Sequence, residues 1–154
     1  MCLLNLLLTF GVIRRLREHT EALAKPARPA VSRPGRPVGE FSSAGLSAAS
    51  LGERALVGFF AVGCRPCEES LPKFAALAAG APTPVVAVVA TMAELEDSSA
   101  YVSALESVAT VVIERPDGPI ATAFGVAGFP TFALVSRGVV EAVGSDPAAV
   151  AALV

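Results

Sequence analysis

Cys64 and Cys67, in the tetrapeptide Cys-Arg-Pro-Cys, are the residues best suited to chemistry in this sequence. Two thiols at that spacing can close and reopen a disulfide, or they can supply half of a zinc site. The metal alternative needs a second pair or histidines. The chain offers only His19 and Cys2, both far to the N-terminal side of the motif. The flanks favour redox chemistry. ALVGFFA (55–61) is an apolar run suited to a buried strand, and Cys67 to Ala79 has helical spacing, with Leu71, Phe74, Ala75 and Ala78 on one side.

A strand running through Cys-x-x-Cys into a helix puts Cys64 at the helix N-terminus, where unpaired N–H groups and the macrodipole favour an anion. The thiolate is the nucleophile of disulfide exchange, so whatever stabilises it activates the cysteine. Arg65 adds positive charge beside it, and Pro66 suits the first helical turn because its missing N–H is not needed there. Cys67, one turn further in, faces the same side and is expected to be less exposed. Cys64 is therefore the expected nucleophile and Cys67 the resolving thiol. Glu69 either reaches the site through water or, with Glu68, forms a solvated pair assisting the helix N-terminus.

The remaining segments give the frame that must hold this motif. PVVAVVA (84–90) reads as a second buried strand, MAELEDSSAYVSALES (92–107) as an amphipathic helix and TVVIE (110–114) as a third strand. A short helix is expected over Pro119–Phe124. TFALVS (131–136) and VVEAVG (139–144), separated by Arg137-Gly138, read as a hairpin. Asp146 can cap a last helix with Pro147 at its first position. Strands alternating with helices and ending in a hairpin imply an α/β domain with a central mixed sheet flanked by helices.

The chain of 154 residues suffices for one such domain and an appendage. Residues 2–13, CLLNLLLTFGVI, are almost wholly apolar but span only about 18 Å as a helix, against a bilayer core of about 30 Å. Residues 1–24 are read as a membrane tether whose natural chain begins earlier, or as an amphipathic helix lying on the protein or a membrane surface. Cys2 is then an acylation site or an inert small hydrophobe. KPARPAVSRPGRP (25–37) holds prolines at 26, 29, 34 and 37 and reads as an extended linker, so the domain is expected over 38–154. A net charge of −2 argues against a nucleic-acid partner. No phosphate-cradling glycine loop, Ser/His/Asp set or nicotinamide fingerprint is present, and the dithiol itself needs no cofactor and no metal.

Residues LVGFFAVGCRPCEESLP, followed later by FGVAGFPTFALV, resemble the thioredoxin superfamily, and most closely its membrane-anchored TlpA-like and MauD-like branch. The resemblance covers residues 38–154 and implies a thioredoxin-like fold and thiol–disulfide oxidoreductase activity on protein thiols and disulfides. It implies that Pro130 follows a cis peptide opposite the dithiol. The backbone of Phe129, flanked by Pro130 and Thr131, is then free to pair with an extended substrate segment. Pro72 matches the proline that kinks the family's active-site helix.

Three positions depart from the pattern. Gly63 stands where Trp is common, Gly58 where thioredoxins carry a buried acid, and Ser70 where TlpA-like proteins often carry another. Without those acids, proton transfer to and from Cys67 falls to solvent or to another residue. The alternatives are a peroxiredoxin-like peroxidase, which wants Thr or Ser before its reactive cysteine, and a non-enzymatic assembly factor of the same fold. The resemblance implies an extracytoplasmic domain. Arg14, Arg15 and Arg17, by the positive-inside rule, argue for the cytoplasmic side.

Overall fold

The computed structural model describes residues 33–93 and 96–153. The chain divides into two units, and the described residues belong to the second, Val31–Val154. The apolar N-terminal segment, Cys2, His19 and residues 25–32 of the proline-rich stretch lie outside the described residues, as do Glu94 and Leu95.

In chain order the elements are β1 (Ser42–Ser43), β2 (Leu46–Ser47), a 3-10 turn (Ala48–Leu51), β3 (Arg54–Ala61), α1 (Arg65–Gly80) and β4 (Val85–Ala90). There follow α2 (Ser99–Leu105), β5 (Thr110–Glu114), α3 (Pro119–Phe124), β6 (Thr131–Ser136), β7 (Val139–Gly144) and α4 (Pro147–Ala151). Strands β3 to β7 form one sheet in the order β5-β4-β3-β6-β7. β3 pairs parallel with β4 and antiparallel with β6, β4 pairs parallel with β5, and β6 pairs antiparallel with β7. The strand leading into the dithiol is thus the central one. Strand β3 is flanked on both sides, so its run from Ala55 to Phe60 is buried throughout, as a continuous apolar stretch requires.

Alternation along β3 divides the core in two. Ala55, Val57 and Phe59 face one side, with Val86, Val88, Ile120 and Phe124. Leu56 and Phe60 face the other, with Cys67, Phe74, Tyr101, Leu105, Phe132 and Leu134. The dithiol helix α1 therefore lies on the second face, and α3 on the first.

Two differences from the expected elements have local causes. The helix expected over 92–107 is described only as Ser99–Leu105. Asp97 Oδ1 accepts the Ser99 N–H at 2.9 Å, a side-chain turn that competes with helix immediately before the first helical residue. The β1–β2 hairpin, with strands of two residues each, carries no periodicity that could announce it. Sheet-edge pairing also reaches into the proline-rich stretch: the Gly35 N–H donates to the Val140 carbonyl, and Pro37 bridges to Val139.

Helix α3 is seated by a residue from the end of β5. The Glu114 carboxylate accepts the Ala121 N–H at 2.8 Å and the Ile120 N–H at 3.2 Å, two of the donors that a helix start leaves unpaired. Replacing Glu114 with Ala is expected to cost about 1–2 kcal/mol of folding stability, measurable by urea denaturation. An unchanged midpoint would show that water serves these donors equally well.

Candidate active site

The site begins where β3 ends. Ala61 closes the strand, Val62 N–H still reaches the Ala90 carbonyl of β4 at 3.0 Å, and Gly63 turns the chain with φ of +72°. That left-handed conformation is costly for a residue with a Cβ, which accounts for Gly63 where a Trp is common in the family it resembles. The Cys64 N–H closes the turn onto the Ala61 carbonyl at 3.3 Å.

Cys64 is the N-cap of α1, with φ −93° and ψ 103°, and Pro66 sits in the first helical turn as expected. The Cys64 carbonyl accepts N–H groups from Cys67 at 2.9 Å and Glu68 at 3.1 Å, and Cys64 Sγ also accepts from the Cys67 N–H at 3.3 Å. Sulfur thus occupies the position that an oxygen takes in an ordinary N-cap, with a helix start directed at it.

Cys64 and Cys67 are joined in a disulfide, with Cα atoms 5.2 Å apart. Their exposures differ in the expected sense: Cys67 is fully buried against Phe60 and Phe74, and Cys64 is half-buried at the surface. Among the described residues no group of three His, Cys, Asp or Glu side chains converges to hold a metal ion.

The loop before β6 supplies the opposite wall. The Phe129–Pro130 peptide is cis, and the Phe129 carbonyl oxygen lies 3.7 Å from Cys64 Sγ. Pairing of β6 with β3 starts only at Thr131, opposite Phe59, so the preceding two residues lie outside the ladder. Thr131 is buried and its hydroxyl donates to the Gly128 carbonyl at 2.7 Å, fastening the loop from within. The structure therefore brings Cys64, Cys67, Phe129, Pro130 and Thr131 together.

Arg65 and Glu69 are placed differently. Arg65 Nε donates to Glu69 Oε1 at 3.1 Å, one helical turn apart, and both side chains are well exposed. Glu69 thus partly neutralises the Arg65 charge, and such a surface pair has little energetic weight. Its carboxylate is engaged with Arg65 instead of being aimed at either sulfur.

The missing acids have structural counterparts. Position 58 lies on the α1 side of the sheet, between Leu56 and Phe60. A Cβ there would stand 2.7 Å from Phe74 Cζ and 2.9 Å from Phe74 Cε2. The Phe74 ring, stacked on Phe132 at 5.3 Å and edge-on to Phe60 at 5.4 Å, fills the space a buried carboxylate would need. Ser70 is buried and its hydroxyl donates to the Cys67 carbonyl at 3.0 Å, a bond internal to the helix.

One polar group at the site carries no signal in the sequence. Tyr101, from α2, is buried beside Phe60 and its hydroxyl donates to the Ala61 carbonyl at 3.2 Å. Burial pushes its phenol above the usual tyrosine range, and the nearby Glu68 carboxylate adds to the effect. A tyrosine on an amphipathic helix reads as an ordinary core residue until the fold shows which carbonyl it meets.

No protein-family model matches the chain, and no curated protein matches it either. Solved structures do. A secreted Mycobacterium tuberculosis disulfide oxidoreductase, described as homologous to Escherichia coli DsbE, is similar with a TM-score of 0.56 and 22% identity, over 79% of this chain and 88% of that one. A putative thiol:disulfide interchange protein DsbE from Chlorobium tepidum gives 0.53 and 24% over 79% and 92%. StoA from Bacillus subtilis gives 0.53 and 19% over 75% and 90%. The fold is thioredoxin-like, as the motif resemblance implied.

Proposed function

We propose that the chain is a thiol–disulfide oxidoreductase acting on protein thiols and disulfides, with Cys64 as nucleophile and Cys67 as resolving thiol. The observation that carries this is the asymmetry of the pair: a half-buried Cys64 capping a helix, bonded to a fully buried Cys67 one turn behind it. In the reducing direction the Cys64 thiolate attacks one sulfur of a substrate disulfide. A mixed disulfide forms and the other substrate sulfur leaves as a thiolate. Cys67, deprotonated, then attacks Cys64 Sγ, closing the Cys64–Cys67 bond and releasing the second substrate thiol. Two electrons pass from the dithiol to the substrate, and the reverse sequence oxidises a substrate dithiol.

The helix N-terminus stabilises the Cys64 thiolate; the Arg65–Glu69 pair modulates this only weakly. An extended substrate segment pairs with the backbone of Phe129, whose carbonyl already faces Cys64 Sγ, while Pro130 lies beside it and Thr131 anchors the loop. The proposed organisation is a membrane tether at 1–24, a linker at 25–37 whose last residues, Gly35 to Pro37, already pair along β7, and the redox domain at 38–154, on the extracytoplasmic side. Support for that side is the description of one structural neighbour as secreted. No helix among the described residues is long and apolar enough to cross a membrane.

The test is stoichiometric. The pre-reduced chain, mixed with excess insulin, is expected to lose two thiols per chain as the equivalent insulin disulfide is opened, faster than free glutathione achieves. Exchange no faster than that background would overturn the proposal.

A further inference from the structure

The end of β3 and the nucleophile's turn share one acceptor. The Ala61 carbonyl receives the Cys64 N–H at 3.3 Å and the Tyr101 hydroxyl at 3.2 Å. A carbonyl oxygen has two lone pairs, so both bonds can be made at once. The first closes the tight turn through Val62 and Gly63. The second ties that turn to α2, an element forty residues further along the chain.

We infer that Tyr101 is a positioning residue for the nucleophile: by holding the Ala61 carbonyl it fixes the turn on which Cys64 presents its sulfur to the N-terminus of α1. The inference rests on reading Cys64–Cys67 as an exchanging dithiol. The chain of effect is short. The Cys64 N–H–Ala61 bond sets the backbone of Cys64, and that backbone sets the 3.3 Å approach of the Cys67 N–H to Cys64 Sγ. When Cys64 is reduced and ionised, this amide and the rest of the helix start stabilise its charge. A turn free to shift loosens that alignment and disfavours the thiolate.

Tyr101 is suited to the task. It is 4% exposed, its ring is held against Phe60 with centroids 5.9 Å apart, and it stands among Cys67 and Leu105. Its hydroxyl stays protonated, and so remains a donor, throughout the pH range of thiol exchange, because burial first and Glu68 second raise its pKa. In the reduced chain the ionisable groups around the Cys64 sulfur are the Cys67 thiol, Glu68 and the Arg65–Glu69 pair on α1, with Tyr101 itself on α2. Substituting Phe for Tyr removes the hydroxyl and leaves all of the others in place.

The experiment compares the reduced full chain with its Tyr101→Phe variant by iodoacetamide alkylation of Cys64 across pH, alongside thermal melting and exchange with glutathione. In Tyr101→Phe the midpoint of the rate profile is expected to move to higher pH. The neutral-pH rate should fall about threefold and the alkaline plateau should be unchanged, as expected when only the thiolate fraction changes. A lowered melting temperature with an unmoved midpoint would mean that the hydroxyl merely satisfies the fold, and would overturn the inference. So would a variant indistinguishable from wild type. Should Tyr101→Phe not fold, Tyr101→Met removes the hydroxyl with a more adaptable side chain and is judged by the same midpoint. A wild-type chain that fails to exchange with glutathione refutes the dithiol reading and this inference together. An active wild type with an unmoved variant midpoint refutes only the inference.

Discussion

Cys67→Ser is expected to accumulate covalent adducts with disulfide-bearing proteins through Cys64, while Cys64→Ser accumulates almost none. The difference follows from the position of each sulfur. Cys64 is half-buried, caps α1 and faces the Phe129 carbonyl at 3.7 Å, where an incoming chain can lie. Cys67 is fully buried beneath it and meets a sulfur only when one is held at Cys64. Without Cys67 the first exchange proceeds and the second cannot, so the mixed disulfide persists. Without Cys64, a serine hydroxyl offers no thiolate and the remaining thiol is out of reach. The rate of disulfide exchange in Cys64→Ser should fall about a thousandfold or more. Non-reducing electrophoresis with mass spectrometry of the adducts decides the matter, and equal trapping by both variants would contradict the assignment of roles.

The second large effect is on folding. Gly58→Asp would restore a carboxyl at the position where thioredoxins carry a buried acid, yet here it is expected to cost about 4 kcal/mol or more. Its Cβ would stand 2.7 Å from the Phe74 ring, within an aromatic group formed with Phe60 and Phe132. The ring must move or the strand must bend, and no partner in that group can satisfy the carboxylate. A loss of this size approaches the whole stability of many domains, about 5–15 kcal/mol. The double variant Gly58→Asp with Phe74→Ala should cost less than the sum of its two parts, because the second change opens the space the first one needs. Urea denaturation of the four proteins measures this. A Gly58→Asp variant as stable as wild type would show that Phe74 is not the obstacle.

These effects also mark how far the sequence could be read. The strands are written in it almost directly. TVVIE, TFALVS and VVEAVG form β5, β6 and β7 as expected, and ALVGFFA needed only Arg54 added to become β3. Apolar runs bounded by Gly, Pro and Arg-Gly are local signals, and the sheet honours them. The dithiol was legible for the same reason, since strand, Cys-x-x-Cys and helix are contiguous. Helix 92–107 shortened because Asp97 captures the Ser99 amide, a competition that hydrophobic spacing does not register.

What stayed hidden depends on meetings across the fold. Gly58 was visible as a missing acid, but Phe74, from the helix packed over the sheet, explains why nothing larger fits. Tyr101 gave no functional signal because it meets its carbonyl partner, at the end of β3, only through the parallel pairing of β3 with β4 and the crossover from β4 to β5 that carries α2. Arg65 reads as positive charge beside Cys64, and Glu69 as reaching the site through water or as a solvated surface pair with Glu68; their spacing on α1 lets Arg65 and Glu69 meet each other, exposed, at 3.1 Å.

Disulfide exchange here requires that the Cys64 and Cys67 sulfurs at the mouth of α1 be joined and parted reversibly. Equilibrating the purified chain in glutathione buffers of graded potential and counting its free thiols after acid quenching decides whether they are. One reversible transition is expected, in which the Cys64 and Cys67 thiols appear together, with a tenfold change in the oxidised-to-reduced ratio for about 30 mV. A thiol count that does not respond to the buffer, or two thiols that appear independently, would contradict it.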